Sequence, residues 1–192
     1  ELVAIGVAEP VHFAPGEGWH YSNTNTVLLG LIVESIAGKP LEEVLEERIY
    51  APLGLDDTSF PARDDATIPE PHANGYLFGT NVSTLDDPSL PEDERGPALA
   101  GELLPNDVTD ANPSWGWAAG AAISTATDLA DYVEALVGGG LLGEDLQDRR
   151  LESVRPTDPD ALDAAGYGWA MASFGPYLGH DGSLPGYQSF MG

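Results

Sequence analysis

The stretch Phe13-Ala-Pro-Gly-Glu-Gly-Trp-His-Tyr-Ser-Asn23, continuing into Thr24-Asn-Thr-Val-Leu-Leu-Gly-Leu-Ile-Val-Glu34, decides how this 192-residue sequence is read. Pro15, Gly16 and Gly18 make a turn-rich approach, and Asn23 or Thr24 offers a side chain able to cap a helix start. The spacing predicts a helix to about Ala37, with Leu28, Leu31, Ile32, Ser35 and Ile36 on its buried face and Gly38 as its stop. Tyr21, Ser22 and Asn23 then stand at the helix entry, where three polar side chains can border a cleft. A tyrosine there shuttles protons only if nearby cations lower its pKa from about 10. The tripeptide is common, and on spacing alone capping is the plain role for Ser22 or Asn23.

Working outward, Pro40 suits the first turn of a second helix with Leu41, Val44, Leu45 and Ile49 on its apolar face, ending near Pro52-Leu-Gly54. From Phe60 to Pro113 the pattern predicts an irregular surface excursion, with short strands possible around Gly75-Tyr-Leu-Phe78. The acidic, proline-bearing part from Asp86 to Arg95 reads as a solvated insertion. Thr125 and Asp128 have capping-box spacing ahead of a helix whose stripe is Leu129, Tyr132, Val133, Leu136 and Val137, closed by Gly138-Gly-Gly140. A further helix is expected from Glu144 to about Val154. Tyr167 to Phe174 reads as one strand with Tyr167, Trp169 and Met171 on one face, and Pro176 to His180 and Tyr187 to Met191 as two more around a turn.

Composition narrows the partners. Asp and Glu number 32 against 7 Lys and Arg, giving a formal net charge of −25, and Lys39 is the only lysine. Nucleic acid and anionic membranes are therefore poor partners, and salt should relieve the self-repulsion. An acidic chain nearly free of lysine is expected of a salt-adapted, halophilic protein. With no cysteine, disulfide and thiolate chemistry are excluded. No apolar run approaches the roughly 20 residues of a membrane span, and Glu1 to Val7 does not read as a signal peptide. His12, His20 and His72 lack metal-ligand spacing with one another or with paired carboxylates, so no metal and no cofactor is expected. The many carboxylates read as a solvated surface.

Taken together, Phe-x-Pro-Gly-x-x-Trp-x-Tyr-Ser-Asn and the following Leu-Leu-Gly-Leu-Ile-Val-Glu resemble the second motif of the class C β-lactamases and serine DD-peptidases. The resemblance continues in Pro52-Leu-Gly-Leu-Asp-Asp-Thr58, His72-Ala-Asn-Gly-Tyr76 and Gly120-Ala-Ala-Ile-Ser-Thr-Ala-Thr-Asp-Leu129. It closes on Gly179-His-Asp-Gly-Ser-Leu-Pro-Gly186, which resembles the third motif, and runs from about Val11 to Gln188. It implies an α+β fold of β-lactamase/transpeptidase type, an antiparallel sheet flanked by helices plus a helical and loop lobe, here incomplete. Residues 1–192 would form one partial domain: about 1–120 the helical and loop lobe, about 121–192 part of the α/β lobe.

The implied chemistry is serine acyl transfer, in which an acyl-enzyme formed from an amide, ester or β-lactam is hydrolysed by water. By the same resemblance Tyr21 is the general base and acid, and Asn23 bonds the substrate amide or the catalytic lysine, with Ser22 as a spacer. His180 adjoins Tyr21 electrostatically, Gly182 lets substrate lie close to the strand, and the Ser183 N–H is an oxyanion donor. Trp115 or Trp117 walls the pocket, core packing being expected for at least one of them.

Two departures stand out. The family's Ser-x-x-Lys is absent, because the residue three before Lys39 is Ile36. The 192 residues alone are thus expected to be inactive and to be part of a longer protein; a catalytically silent binding module is the alternative, and an upstream Ser-x-x-Lys would distinguish the two. The third motif also has Asp181 where penicillin-recognising members usually have threonine, and no Arg or Lys follows Arg155. A carboxylate facing the pocket would repel a substrate carboxylate by a few kcal/mol in a partly dry site. Strand alternation would instead point Asp181 away. The departure weakens β-lactam or D-Ala-D-Ala specificity and raises esterase, amidase or D-aminopeptidase chemistry. The partner expected is a small-molecule or peptide substrate, the oligomeric state is open, and an extracytoplasmic location follows from family analogy alone.

Overall fold

The computed structural model describes residues 1–62, 65, 67–79, 90–112, 115–157 and 165–192. Its α+β architecture combines seven α-helices among these residues with a two-stranded and a five-stranded antiparallel sheet. Helix α1 is Leu2–Gly6 and α2 is Asn23–Ala37. Helices α3 (Leu41–Leu45) and α4 (Ala51–Leu53) are joined by a π-helical turn, Glu46–Tyr50. Strand β1 (Tyr76–Leu77), α5 (Glu92–Leu99) and β2 (Asn106–Asp107) precede a 3-10 turn at Trp117–Ala119. Then come α6 (Ala126–Gly138), α7 (Glu144–Ser153) and the strands β3 (Arg155–Pro156), β4 (Gly166–Gly168), β5 (Met171–Phe174), β6 (Tyr177–Leu184) and β7 (Tyr187–Met191). The five strands pair in chain order as an antiparallel meander. None of the described helices is long and apolar enough to cross a membrane.

Helix ends follow local chemistry. Gly38 and Gly139 take left-handed backbone conformations at the ends of α2 and α6, as the positive φ of a helix stop favours. The Thr125 hydroxyl accepts from the Asp128 N–H at 3.2 Å, the capping bond that the spacing predicts. At α2 the cap position falls on Ser22 rather than Asn23 or Thr24, and its side chain makes no capping bond.

The buried face of α2 differs from expectation. Val27 and Gly30 are buried, whereas Leu28, Leu31, Ile32 and Ile36 are exposed, Ile36 to 82%. Apolar residues occur on nearly every side of this helix, so periodicity could not select a face. Close approach selects it: a Cβ at Gly30 would stand 2.7 Å from Ala118 Cβ and 3.0 Å from the Trp117 ring. Val27, Leu41 and Trp117 form the core here, with Val33, Leu45 and Phe60 packed against it.

Two more expectations change. Residues 167–174 are not one strand but two, β4 and β5, reversing at Trp169-Ala170, where Ala170 adopts φ 54°. Met171 is consequently buried and Trp169 exposed beneath the Arg149 guanidinium, 5.4 Å from its ring. In the excursion, α5 forms where only irregular chain was expected; Glu92, Asp93 and Glu94 in its first turn suit the positive end of the helix dipole. Residues 86–89 of the expected insertion lie outside the described residues. Strand β1 forms at the expected place and pairs with β2, which the sequence did not mark.

Family-like loops become cross-links. Asp128 Oδ2 accepts from the Asp57 N–H at 3.0 Å and from the Thr58 hydroxyl at 2.7 Å, and Thr58 and Ser124 hydroxyls lie 2.8 Å apart. The Tyr187 hydroxyl donates to the Ala73 carbonyl at 3.1 Å, seating the 72–76 loop on the β6–β7 hairpin. Gly75 and Gly186 allow this approach, since a Cβ at Gly75 would meet the Tyr187 ring at 2.5 Å.

Candidate active site

Tyr21 precedes α2 and His180 lies on β6, and the fold brings their rings to 6.4 Å between centroids. Tyr167 of β4 completes a triangle, 6.0 Å from Tyr21 and 6.5 Å from His180. Trp19 stacks on Tyr167 at 4.8 Å, and Phe174 meets that ring edge-on at 6.5 Å. The approach loop is held by a second stack, His12 on His20 at 3.9 Å, and the His20 Nδ1 lies 2.8 Å from the Tyr21 carbonyl oxygen. Tyr21 itself remains 49% exposed.

The backbone register of β6 places the third motif. Strand β5 pairs β6 only as far as Gly179, while β7 pairs it from His180 to Leu184. Beyond Gly179 the β5-side edge therefore has no strand partner among the described residues. Antiparallel residues direct their N–H and C=O alternately to the two neighbours. The two-residue hairpin closing on Leu184 and Tyr187 turns the amides of Leu184, Gly182 and His180 toward β7. Asp181 and Ser183 consequently aim their N–H groups at the open edge, the orientation an oxyanion donor at Ser183 requires. Gly182 pairs with Ser189, whose hydroxyl would lie 2.6 Å from an added Cβ.

The Asp181 carboxylate lies close to the neighbouring imidazole. Its Oδ1 lies 3.7 Å from His180 Nδ1, and that same nitrogen is 2.5 Å from the Asp181 carbonyl oxygen. The consequence is electrostatic. The Tyr21 phenol is held above its ordinary pKa, first by burial and then by the Asp181 carboxylate and Tyr167. Tyr167 is raised by burial and by Asp181. Among the described residues, no positive charge acts on Tyr21 to lower its pKa.

The other expected residues divide. Asn23 opens α2 exposed, two residues from Tyr21, with its carbonyl accepting from the Thr26 hydroxyl at 2.8 Å. Trp115 is on the surface and is not one of the rings of the cluster. Trp117 is the one of the pair that packs as core, the role expected for at least one of them: only 6% exposed, it lies against Gly30 and Val27, so of the two only Trp115 stays open to the pocket role. Sequence reading missed Trp19 and Tyr167 as site residues. Trp19 stood inside the decisive motif, but Tyr167 carried no signal beyond an apolar strand.

The architecture is that of the β-lactamase and penicillin-binding-protein fold class. A D-stereospecific amidohydrolase from Streptomyces sp. superposes with a TM-score of 0.77 at 29% identity, covering 95% of this chain and 48% of its own. The chain belongs to the β-lactamase family, whose family model matches residues 1–192. Among curated relatives, penicillin-binding protein 4* of Bacillus subtilis (strain 168) is 26% identical over 188 residues, 94% of this chain and 38% of that protein. A putative D-alanyl-D-alanine carboxypeptidase of Escherichia coli (strain K12) is 32% identical over 165 residues, 83% of this chain and 36% of that protein. The chain thus spans half or less of the length of each.

Proposed function

We propose that the complete protein is a serine hydrolase that cleaves an amide, ester or β-lactam bond through an acyl-enzyme. The observation that carries this reading is the meeting of Tyr21 and His180, from the two ends of a β-lactamase-family chain, beside the open edge at Ser183. In it Tyr21 moves the proton, Asn23 bonds the substrate amide or a catalytic lysine, His180 tunes Tyr21, and the Ser183 N–H stabilises the developing oxyanion. Gly182 gives substrate room along the strand. The serine and lysine lie outside these 192 residues, which contain no Ser-x-x-Lys. The Asp181 carboxylate favours an amide or ester without a free carboxylate over a D-Ala-D-Ala peptide.

The test is intact mass of the complete protein after brief exposure to a small p-nitrophenyl ester, a D-amino-acid amide or a penicillin, with substrate loss followed in parallel. Ester and amide turnover with a transient acyl adduct is expected. A persistent penicillin adduct would mark a penicillin-binding peptidase, and penicillin loss without an adduct a β-lactamase. No acylation by any of the three would overturn the hydrolase reading in favour of a silent binding module.

The acidic surface is, in the same proposal, an adaptation to salt. Raising ionic strength from about 0.1 M to 1 M shortens the screening length from roughly 10 Å to 3 Å, which relieves repulsion among 32 carboxylates facing only 7 basic side chains. The melting temperature should climb across that range in sodium chloride. A flat profile would refute the adaptation.

A further inference from the structure

The rings around Tyr21 are arranged about Tyr167. Trp19 stacks on Tyr167 with 27° between the planes, and Tyr21 meets it edge-on at 67°. Phe174 and His180 each stand 6.5 Å away, at 79° and 71°. Stacked and edge-to-face rings at about 4.5–7 Å attract one another and resist rotation. The backbone that delivers the Tyr167 ring is fixed on several sides. Tyr167 pairs with Arg155 of β3 and with the fully buried Ala172 of β5. Strand alternation puts Gly166 and Gly168 on the face opposite the ring, where β4 is pressed against the junction of α7 and β3. A Cβ at Gly168 would stand 2.7 Å from the Val154 nitrogen, and one at Gly166 3.1 Å from the Arg155 carbonyl oxygen. The Ser153 hydroxyl ties the same junction, accepting from the Trp169 N–H at 2.8 Å and donating to the Arg150 carbonyl at 2.6 Å. Tyr21, by contrast, lies in the approach to α2, whose cap residue Ser22 makes no side-chain capping bond. Its half-exposed ring is oriented by the rings that pack on it.

We propose that Tyr167 is the positioning residue for proton transfer: its ring, fixed by β4 and braced by Trp19, holds the Tyr21 phenol at the angle the reaction uses. Tyr167 acts through Tyr21 and not on the reacting atoms. A ring left free to turn would misdirect its hydroxyl, and a displacement of about 1 Å can cost about a hundredfold in rate. The two side chains are coupled electrostatically as well as packed, since Tyr167 follows burial and Asp181 among the influences that raise the Tyr21 phenol. This inference rests on the hydrolase reading above and adds a residue to its proton-transfer site.

The experiment measures kcat and KM of the complete protein on a p-nitrophenyl ester, with Tyr167 replaced in the parent and again in a Tyr21→Phe background. Tyr167→Phe keeps the ring and is expected to hold kcat within about threefold of the parent. Tyr167→Leu removes the ring and should lower kcat by about ten- to a hundredfold, with KM nearly unchanged. In the Tyr21→Phe background no hydroxyl remains to misplace, so Tyr167→Leu should cost less than about threefold there. A general loss of fold would strike both backgrounds equally and cancels in the comparison. Full activity in Tyr167→Leu, an equal loss in Tyr167→Phe, or the same loss in both backgrounds would overturn the positioning role and leave the hydrolase standing. A parent with no ester turnover would remove the hydrolase reading, and the inference with it.

Discussion

Replacing Tyr21 by Phe in the complete protein is expected to lower kcat by about 10²–10⁴-fold, the usual contribution of a positioned proton-transfer group. KM and melting temperature should change little. The ring contacts with Tyr167 and His180 survive in phenylalanine, and only the hydroxyl of a half-exposed side chain is lost. Steady-state kinetics beside a thermal melt would check this; unchanged turnover would take Tyr21 out of the reaction. The pH profile carries a sign as well. Burial, Asp181 and Tyr167 all favour the neutral phenol, so its ionisation lies above that of free tyrosine. Asp181→Asn removes one of these influences, and any alkaline limb belonging to Tyr21 should move to lower pH. A base role for the phenolate near neutrality requires a cation that the described residues do not provide, and the family's lysine is the group of that kind.

The largest stability effect is expected at Asp128, which is 6% exposed. Truncation to alanine leaves the Asp57 N–H without its acceptor and weakens the hold on the Thr58 hydroxyl, which retains only Ser124. Both bonds are part-buried and only the Asp57 N–H is left unpaired, so the loss is about 1–3 kcal/mol. For a chain of this size or larger that corresponds to a fall in melting temperature of several degrees. Asp128→Asn keeps one oxygen acceptor and should lose less. Calorimetry decides the point: an alanine variant melting within a degree of the parent would show that the 52–58 loop does not depend on this carboxylate. The Thr125 cap of α6 is a separate bond in which Asp128 uses only its backbone N–H, so the alanine variant retains it.

These residues show where legibility stops. The capping spacing of Thr125 and Asp128 was plain in the sequence, but the second task of Asp128, holding a loop some seventy residues earlier, had no local trace. The chemical motif around Tyr21 and the His180-Asp181-Gly182-Ser183 run were equally plain, and together they sufficed for the family. Tyr167 was not, because an aromatic at a strand position looks the same whether it packs a core or lines a cleft. Helix α5 escaped notice because Gly96 and Pro97 interrupt any apolar period, leaving its acidic first turn as the one usable signal.

The sequence by itself determined the C-terminal stop of α2, both ends of α6, the approach loop before Tyr21, the strongly acidic surface and the membership of a family. Each rests on interactions within a few residues, where glycine φ, caps and motif order act locally. Tertiary structure alone decided which side of α2 is buried, that Trp117 belongs to the core, that the chain reverses at Trp169-Ala170, and that Asp181 shares its site with Tyr21. Those outcomes depend on what approaches from a distant part of the chain: Trp117 fits only against the bare backbone of Gly30, and the Asp181 carboxylate acts on Tyr21 because the fold brings β6 to the start of α2.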